Sequence, residues 1–187
     1  TGQQFVAGDV IYWNNEYWDS YTNLKFNFGK FVTVGDGGDY PTIFQAAQAG
    51  YMAVEILSDT VEDGSWDTQF LQIKAKIQTG GTLFNINMGN NRLSVQDYCY
   101  YELQNVKITV NEPTGNLFNA TYGYINTDNV IFDFLTQTNI RLNNLNCKFS
   151  GKKLTIYNPG KFVESFLGDI DELILVGSYG SGTNNVT

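Results

Sequence analysis

Three short apolar runs, at 106–110, 130–134 and 154–157, begin 24 residues apart each time, and this spacing constrains the fold more than any other feature. A further run at 82–86 lies 24 residues earlier, and 173–176 follows after 19. Each is rich in β-branched and aromatic residues, as strands are. Smaller strand candidates at 92–95, 117–120 and 122–125 fall between them, with corners such as Asn158-Pro159-Gly160. Two or three short strands in every turn of that period fit a parallel β-helix, in which each coil buries its inner face on the next. A leucine-rich repeat has a similar period, but only Leu103-x-x-Val106-x-Ile108-x-x-Asn111 meets its template. A β-sandwich or jelly roll is the other rival. Segment 71–78 alternates cleanly, predicting Leu71, Ile73, Ala75 and Ile77 inside and Gln72, Lys74, Lys76 and Gln78 outside.

The one substantial helix is expected at 41–49. Pro41 suits a first helical turn, and Thr42 with Gln45 could form a capping box, so two start points remain open. Ile43, Ala46 and Ala47 make its apolar face and Gly50 ends it. So short a helix works best as a plug over an open stack of strands. Ahead of it, Gly35, Gly37 and Gly38 with Asp36 and Asp39 form a turn. That turn has neither the G-x-G-x-x-G nor the GK[ST] pattern of a phosphate loop.

The stretch VTVGDGGDYPTIFQAAQAG resembles the opening segment of right-handed parallel β-helix proteins of the pectate-lyase-like group. In that group the segment caps the N-terminal end, and the group includes phage tail spikes, polysaccharide lyases and hydrolases, and surface adhesins. The resemblance implies an all-β, right-handed parallel β-helix over 31–187 with a short N-terminal capping α-helix. Residues 1–30 differ in style and read as a small N-terminal aromatic hairpin or attachment segment. Val10-Ile11-Tyr12-Trp13 and Glu16-Tyr17-Trp18 form its arms around Asn14-Asn15. Comparable elements recur in phage and cell-surface fibre proteins, which this one resembles.

The 187 residues carry a net charge of −8, which disfavours nucleic acid and anionic lipid as partners. No apolar run is long enough for membrane insertion. The chain opens on Thr1 rather than Met, as a trimmed fragment would. It contains no histidine, which removes His-based triads, mixed zinc sites and His-ligated haem. No cofactor is implied. Cys99 and Cys147 are read as buried small hydrophobes or as one disulfide.

Tyr 12, Phe 13 and Trp 3 make an unusually aromatic chain with only 16% charged residues, a balance that suits surface or sugar-binding β-proteins. Trp13, Tyr17, Trp18 and Trp66 are candidates for glycan stacking or for an interface. Glycan hydrolases and lyases need converging carboxylates. The candidates for that work are Asp133, Asp169, Asp171 and Glu172, the last three reading as a solvated corner before the final strand. Asp133 is expected to lack a carboxylate neighbour, because Thr109 and Tyr157 hold the equivalent positions one repeat back and one on. Asp59, Glu62, Asp63 and Asp67 could bind calcium, though not with EF-hand spacing. The functional expectation is a phage virion protein of the tail spike, tail fibre or appendage kind, located in the virion. Its expected partners are two further copies in a homotrimer, other virion proteins and a cell-surface polysaccharide. The alternatives are a polysaccharide depolymerase and a non-viral, extracellular or cell-surface carbohydrate-binding adhesin.

Overall fold

A computed structural model describes residues 11–13, 18–20, 31–91, 93, 99–111, 115–116, 123–135, 140–141, 147–159 and 167–177. In chain order its strands open with β1 (Ile11–Trp13), β2 (Trp18–Ser20) and β3 (Val32–Val34). The helix α1 (Ile43–Gln48) precedes β4 (Ala53–Ile56), β5 (Thr60–Val61), β6 (Phe70–Ala75) and β7 (Phe84–Gly89). Then come β8 (Cys99–Gln104), β9 (Val106–Val110), β10 (Gly115–Asn116), β11 (Gly123–Asp128) and β12 (Val130–Asp133). The last are β13 (Ile140–Arg141), β14 (Cys147–Tyr157) and β15 (Leu167–Val176).

One sheet organises the fold. Its hydrogen-bonded path runs β3-β4-β6-β8-β11-β14-β12-β9-β7-β5, with β15 added beside β14. Every pairing in it is parallel. The ten strands of the path turn through 298°, giving a single near-closed parallel barrel. The strands first recognised by their spacing are direct neighbours, with Val130 beside Leu154 and Ile131 beside Lys107.

That closure overturns the right-handed parallel β-helix expected from the sequence. The β14 strand is the reason: its first half pairs with β11 and its second half with β12. Both walls are thereby one continuous sheet instead of separate faces of a solenoid. The pectate-lyase-like resemblance falls with it, and so does the tail-spike, tail-fibre or appendage assignment. The homotrimer and the virion partners, which rested on that assignment, lose their basis as well.

The core fills the space between the walls. Leu71, Tyr101, Ile125 and Phe149 form one inward row, and Ile86, Ile108, Phe132 and Ile156 form another; none is exposed. Asn105 and Asn129 mark the corners where the chain passes from one wall to the other, with φ of 56° and 57°. Asparagine tolerates this left-handed backbone. The two corners are also joined, Asn129 Nδ2 donating to Asn105 Oδ1 at 3.0 Å.

Several local expectations are settled here. Thr42 is the N-cap of α1, its hydroxyl accepting from the Gln45 amide. Ile43 and Ala46 are buried. Strand β6 keeps the predicted alternation only as far as Ala75; Ile77 lies past the strand end and is 53% exposed. Cys99 is buried and is in no disulfide. Cys99 and Cys147 flank β11, both in register with Gly123. Two strand spacings are about 9.5 Å, beyond the roughly 7 Å reach of a disulfide. In the N-terminal hairpin, β1 and β2 pair antiparallel with Trp13 opposite Trp18. Among the described residues no helix is long and apolar enough to cross a membrane, which says nothing of spanning by strands.

Candidate functional site

Parallel in-register strands place like positions side by side, so any outward residue type repeated at one level becomes a continuous surface file. On the outer face of β6, β8 and β11 that file is aromatic. Phe70, Tyr100 and Tyr124 are register partners. Their rings stack with centroids 5.5 and 5.4 Å apart and planes within 13° and 4° of parallel. Phe70 is buried at one end, while Tyr124 is 36% exposed at the other. The position next in line on β14 is Lys148.

Two residues further along each strand lies a polar file: Gln72, Glu102, Asn126 and Ser150. The two files are hydrogen-bonded together. Tyr100 Oη donates to Glu102 Oε1 at 2.6 Å, and Gln72 Nε2 donates to Glu102 Oε2. Ser150 Oγ donates to Tyr124 Oη at 2.7 Å. Burial, together with the adjacent Glu102 charge, pushes the Tyr100 hydroxyl well above its ordinary pKa, so it stays a donor. The result is a row of stacked rings that turns its edges outward, beside amide and carboxylate groups. The sequence holds the signal for it, since Tyr100 and Tyr124 share the 24-residue offset of the later strands. Phe70 was hidden because the β6-to-β8 connection is longer.

The carboxylates singled out from sequence sit elsewhere. Asp133 lies between Thr109 and Tyr157 in register, as the spacing implied. It is bound by Lys107 Nζ at 2.7 Å and accepts from the Leu135 amide at 3.0 Å. Asp169, Asp171 and Glu172 are not in a corner but inside β15, exposed, with Glu172 paired to Lys153 at 3.1 Å. Asp169 shares the Glu102 level but is three strands away. That separation is about 14 Å, more than the roughly 5–10 Å between the acid pairs of glycosidases.

The 59–67 patch is a latch. Glu62 is only 4% exposed and accepts from the Ile43 amide at 3.1 Å, the Phe44 amide at 2.9 Å and Trp66 Nε1 at 2.8 Å. Asp63 accepts from Thr42 Oγ1 at 2.8 Å and Gln45 Nε2 at 2.7 Å. Gln45 therefore serves Asp63, and not the reciprocal half of a capping box. Asp59 accepts from the Asn85 amide at 2.8 Å. Among the described residues no cluster of acids, with or without cysteine, is arranged to hold a metal ion. Trp66 is wholly buried and offers no ring face to a sugar. Of the hairpin aromatics, Tyr17 lies outside the described residues, and Trp13 and Trp18 are placed only by their backbone pairing.

The latch has a pH signature. Burial pushes the Glu62 carboxyl above its usual range, against the hydrogen bonds from Trp66, Phe44 and Ile43. A carboxyl raised in the folded state contributes stability that is complete below its unfolded pKa and lost as pH rises through its folded one. Asp63 is lowered by Gln45 and Thr42, so its contribution runs oppositely and is lost as pH falls through its folded value. Chemical unfolding at a series of pH values should show wild type gaining on Glu62→Gln as pH drops from neutral into the carboxylate range. A gain in the other direction would mean that the three donors outweigh burial.

A cleft apart from the files is lined by Leu57, Ile77 and Phe84 together with Glu55 and Lys76. It is mostly apolar and brings no set of polar groups to a point. No known protein family, curated protein or solved structure matches the chain.

Proposed function

We propose that this chain is a carbohydrate-binding domain acting outside the cell or at a cell surface, and that the outer face of β6, β8, β11 and β14 is its binding surface. The observation behind this is the aromatic file Phe70–Tyr100–Tyr124 set against Gln72, Glu102 and Ser150. A sugar ring offers apolar C–H faces and, around its rim, hydroxyls that both donate and accept. Aromatic carbon next to fixed planar acceptors and donors complements both, and binding sites in general pair apolar surface with a few placed polar groups. A strip repeated from strand to strand suits a polymer better than a single small molecule. Binding fits the arrangement better than cleavage, because Glu102, Asp133 and Glu172 each serve different partners in different places.

The test is calorimetric titration of the chain with a panel of oligosaccharides, repeated with Tyr124→Ala. Tyr124 holds the exposed end of the stack, so its loss should weaken binding by roughly tenfold, about 1.4 kcal/mol. Absence of binding across the panel, or binding untouched by the substitution, would remove this function from this face.

A further inference from the structure

The polar file is not electrically neutral, and its one charge is held in an unusual way. Among the described residues, Glu102 accepts from two uncharged groups, one on each oxygen: Tyr100 Oη–H on Oε1 and Gln72 Nε2–H on Oε2. Among the described residues no lysine or arginine forms an ion pair with it. The nearest outward lysine along β6, Lys74, sits 3.7 Å from Glu55 and lies over the Phe31 ring at 3.8 Å. Lys148 is two strands away, beyond Tyr124. Other carboxylates in outward positions are treated differently, Asp128 bound by Lys152 at 3.0 Å and Asp133 by Lys107.

A carboxylate oxygen has about two acceptor sites. With one donor on each oxygen among the described residues, the carboxylate keeps a planar fork of acceptor capacity for a further donor on each. Such a fork accepts two adjacent hydroxyl groups at once, as it accepts two N–H groups of a guanidinium. The neighbours fix its orientation before any ligand arrives, which lowers the ordering cost of binding. An anionic ligand would meet this uncompensated charge in a chain whose net charge is already −8.

Building on the carbohydrate reading, we infer that Glu102 sets the specificity of the face: it accepts a vicinal pair of hydroxyls from an uncharged sugar and disfavours uronic acids. Tyr100 and Gln72 act as positioning residues for it.

Matched ligand pairs that differ only at C6 separate this from the broader proposal. Tetramers of β-1,4-linked mannose and mannuronic acid, and of galactose and galacturonic acid, are titrated calorimetrically against wild type and Glu102→Gln. In wild type the neutral member of the series that binds should be at least tenfold tighter than its uronic partner. Glu102→Gln keeps the shape but replaces one acceptor oxygen by a donor. It should weaken the neutral ligand several-fold and shrink the neutral-to-uronic ratio towards one, with an unchanged melting temperature as the folding control. A uronic tetramer that binds as tightly as its neutral partner, or a ratio indifferent to Glu102→Gln, overturns the inference and leaves the carbohydrate reading intact. Failure of all four tetramers and of the wider oligosaccharide panel overturns that reading and the inference with it.

Discussion

Ile73→Asp is expected to destroy cooperative folding, whereas Lys74→Gln next to it should shift stability by less than about 1 kcal/mol. Ile73 is 1% exposed and lies between Val54 and Leu103 on the inner face, both of them buried. The substitution removes roughly 2–3 kcal/mol of apolar burial. It also places a carboxylate where no donor waits, at a further cost of several kcal/mol. Together these rival the roughly 5–15 kcal/mol by which domains are stable at all. Lys74 points the other way, with its side chain 38% exposed and a long 3.7 Å contact to Glu55. Thermal or urea unfolding decides the matter. Equal shifts for the two variants would mean that β6 presents the opposite face to the core.

Gly151→Ala should be nearly as damaging for a different reason. Gly151 has φ of 125°, and a Cβ there would fall 2.0 Å from the Thr127 carbonyl oxygen on the neighbouring strand. The obstacle is backbone inside the sheet, so it cannot rotate aside as a flexible side chain would. Backbone strain of about 1–3 kcal/mol adds to the displacement of β11, giving a total of about 3 kcal/mol or more. For a chain of this size that lowers the melting temperature by roughly 6–12 °C. Gly80 is the control: its φ is 87°, but nothing lies within 4 Å of the added carbon. Gly80→Ala should therefore cost only about 1 kcal/mol. Similar melting temperatures for the two variants would show that β11 and β14 are not packed as described.

The strands and their neighbours were legible because in-register parallel pairing repeats a hydrophobic pattern at a fixed offset, which survives as spacing in the chain. The register of Asp133 between Thr109 and Tyr157 was recoverable on that basis alone. The closure was not. It depends on β14 running unbroken through Ser150-Gly151-Lys152, a stretch that precedes the expected run at 154–157 and joins it in one long strand. Ile77 misled for a related reason, since periodicity cannot show where a strand stops. An acidic, glycine-containing run usually lies at the surface, so the sequence offers Glu62 as a calcium candidate and Trp66 as a glycan-stacking or interface aromatic. Only the fold reveals that the Glu62 carboxylate faces three N–H donors and that the indole is sealed beneath it. The aromatic file escaped notice because ring stacking between strands depends on register across unequal connections.

The Glu62 latch also determines where this barrel is weakest. The path of the sheet ends at β3 on one side and β5 on the other, and no ladder of backbone hydrogen bonds joins those two strands. What spans the remaining arc is α1, packed on β3 and tied by Ile43 and Phe44 to the residue that follows β5. Most of the wall is a zipper of many small, redundant bonds, whereas its last stretch is a clasp made by two adjacent side chains, Glu62 and Asp63. A zipper frays gradually, but a clasp is either shut or open. Opening it would expose Trp66 and the first core layer while the β8–β11–β14 region, with its surface files, stayed paired. The aromatic and polar files and the weak joint thus sit on different parts of the barrel, so fluctuation at one need not disturb the other.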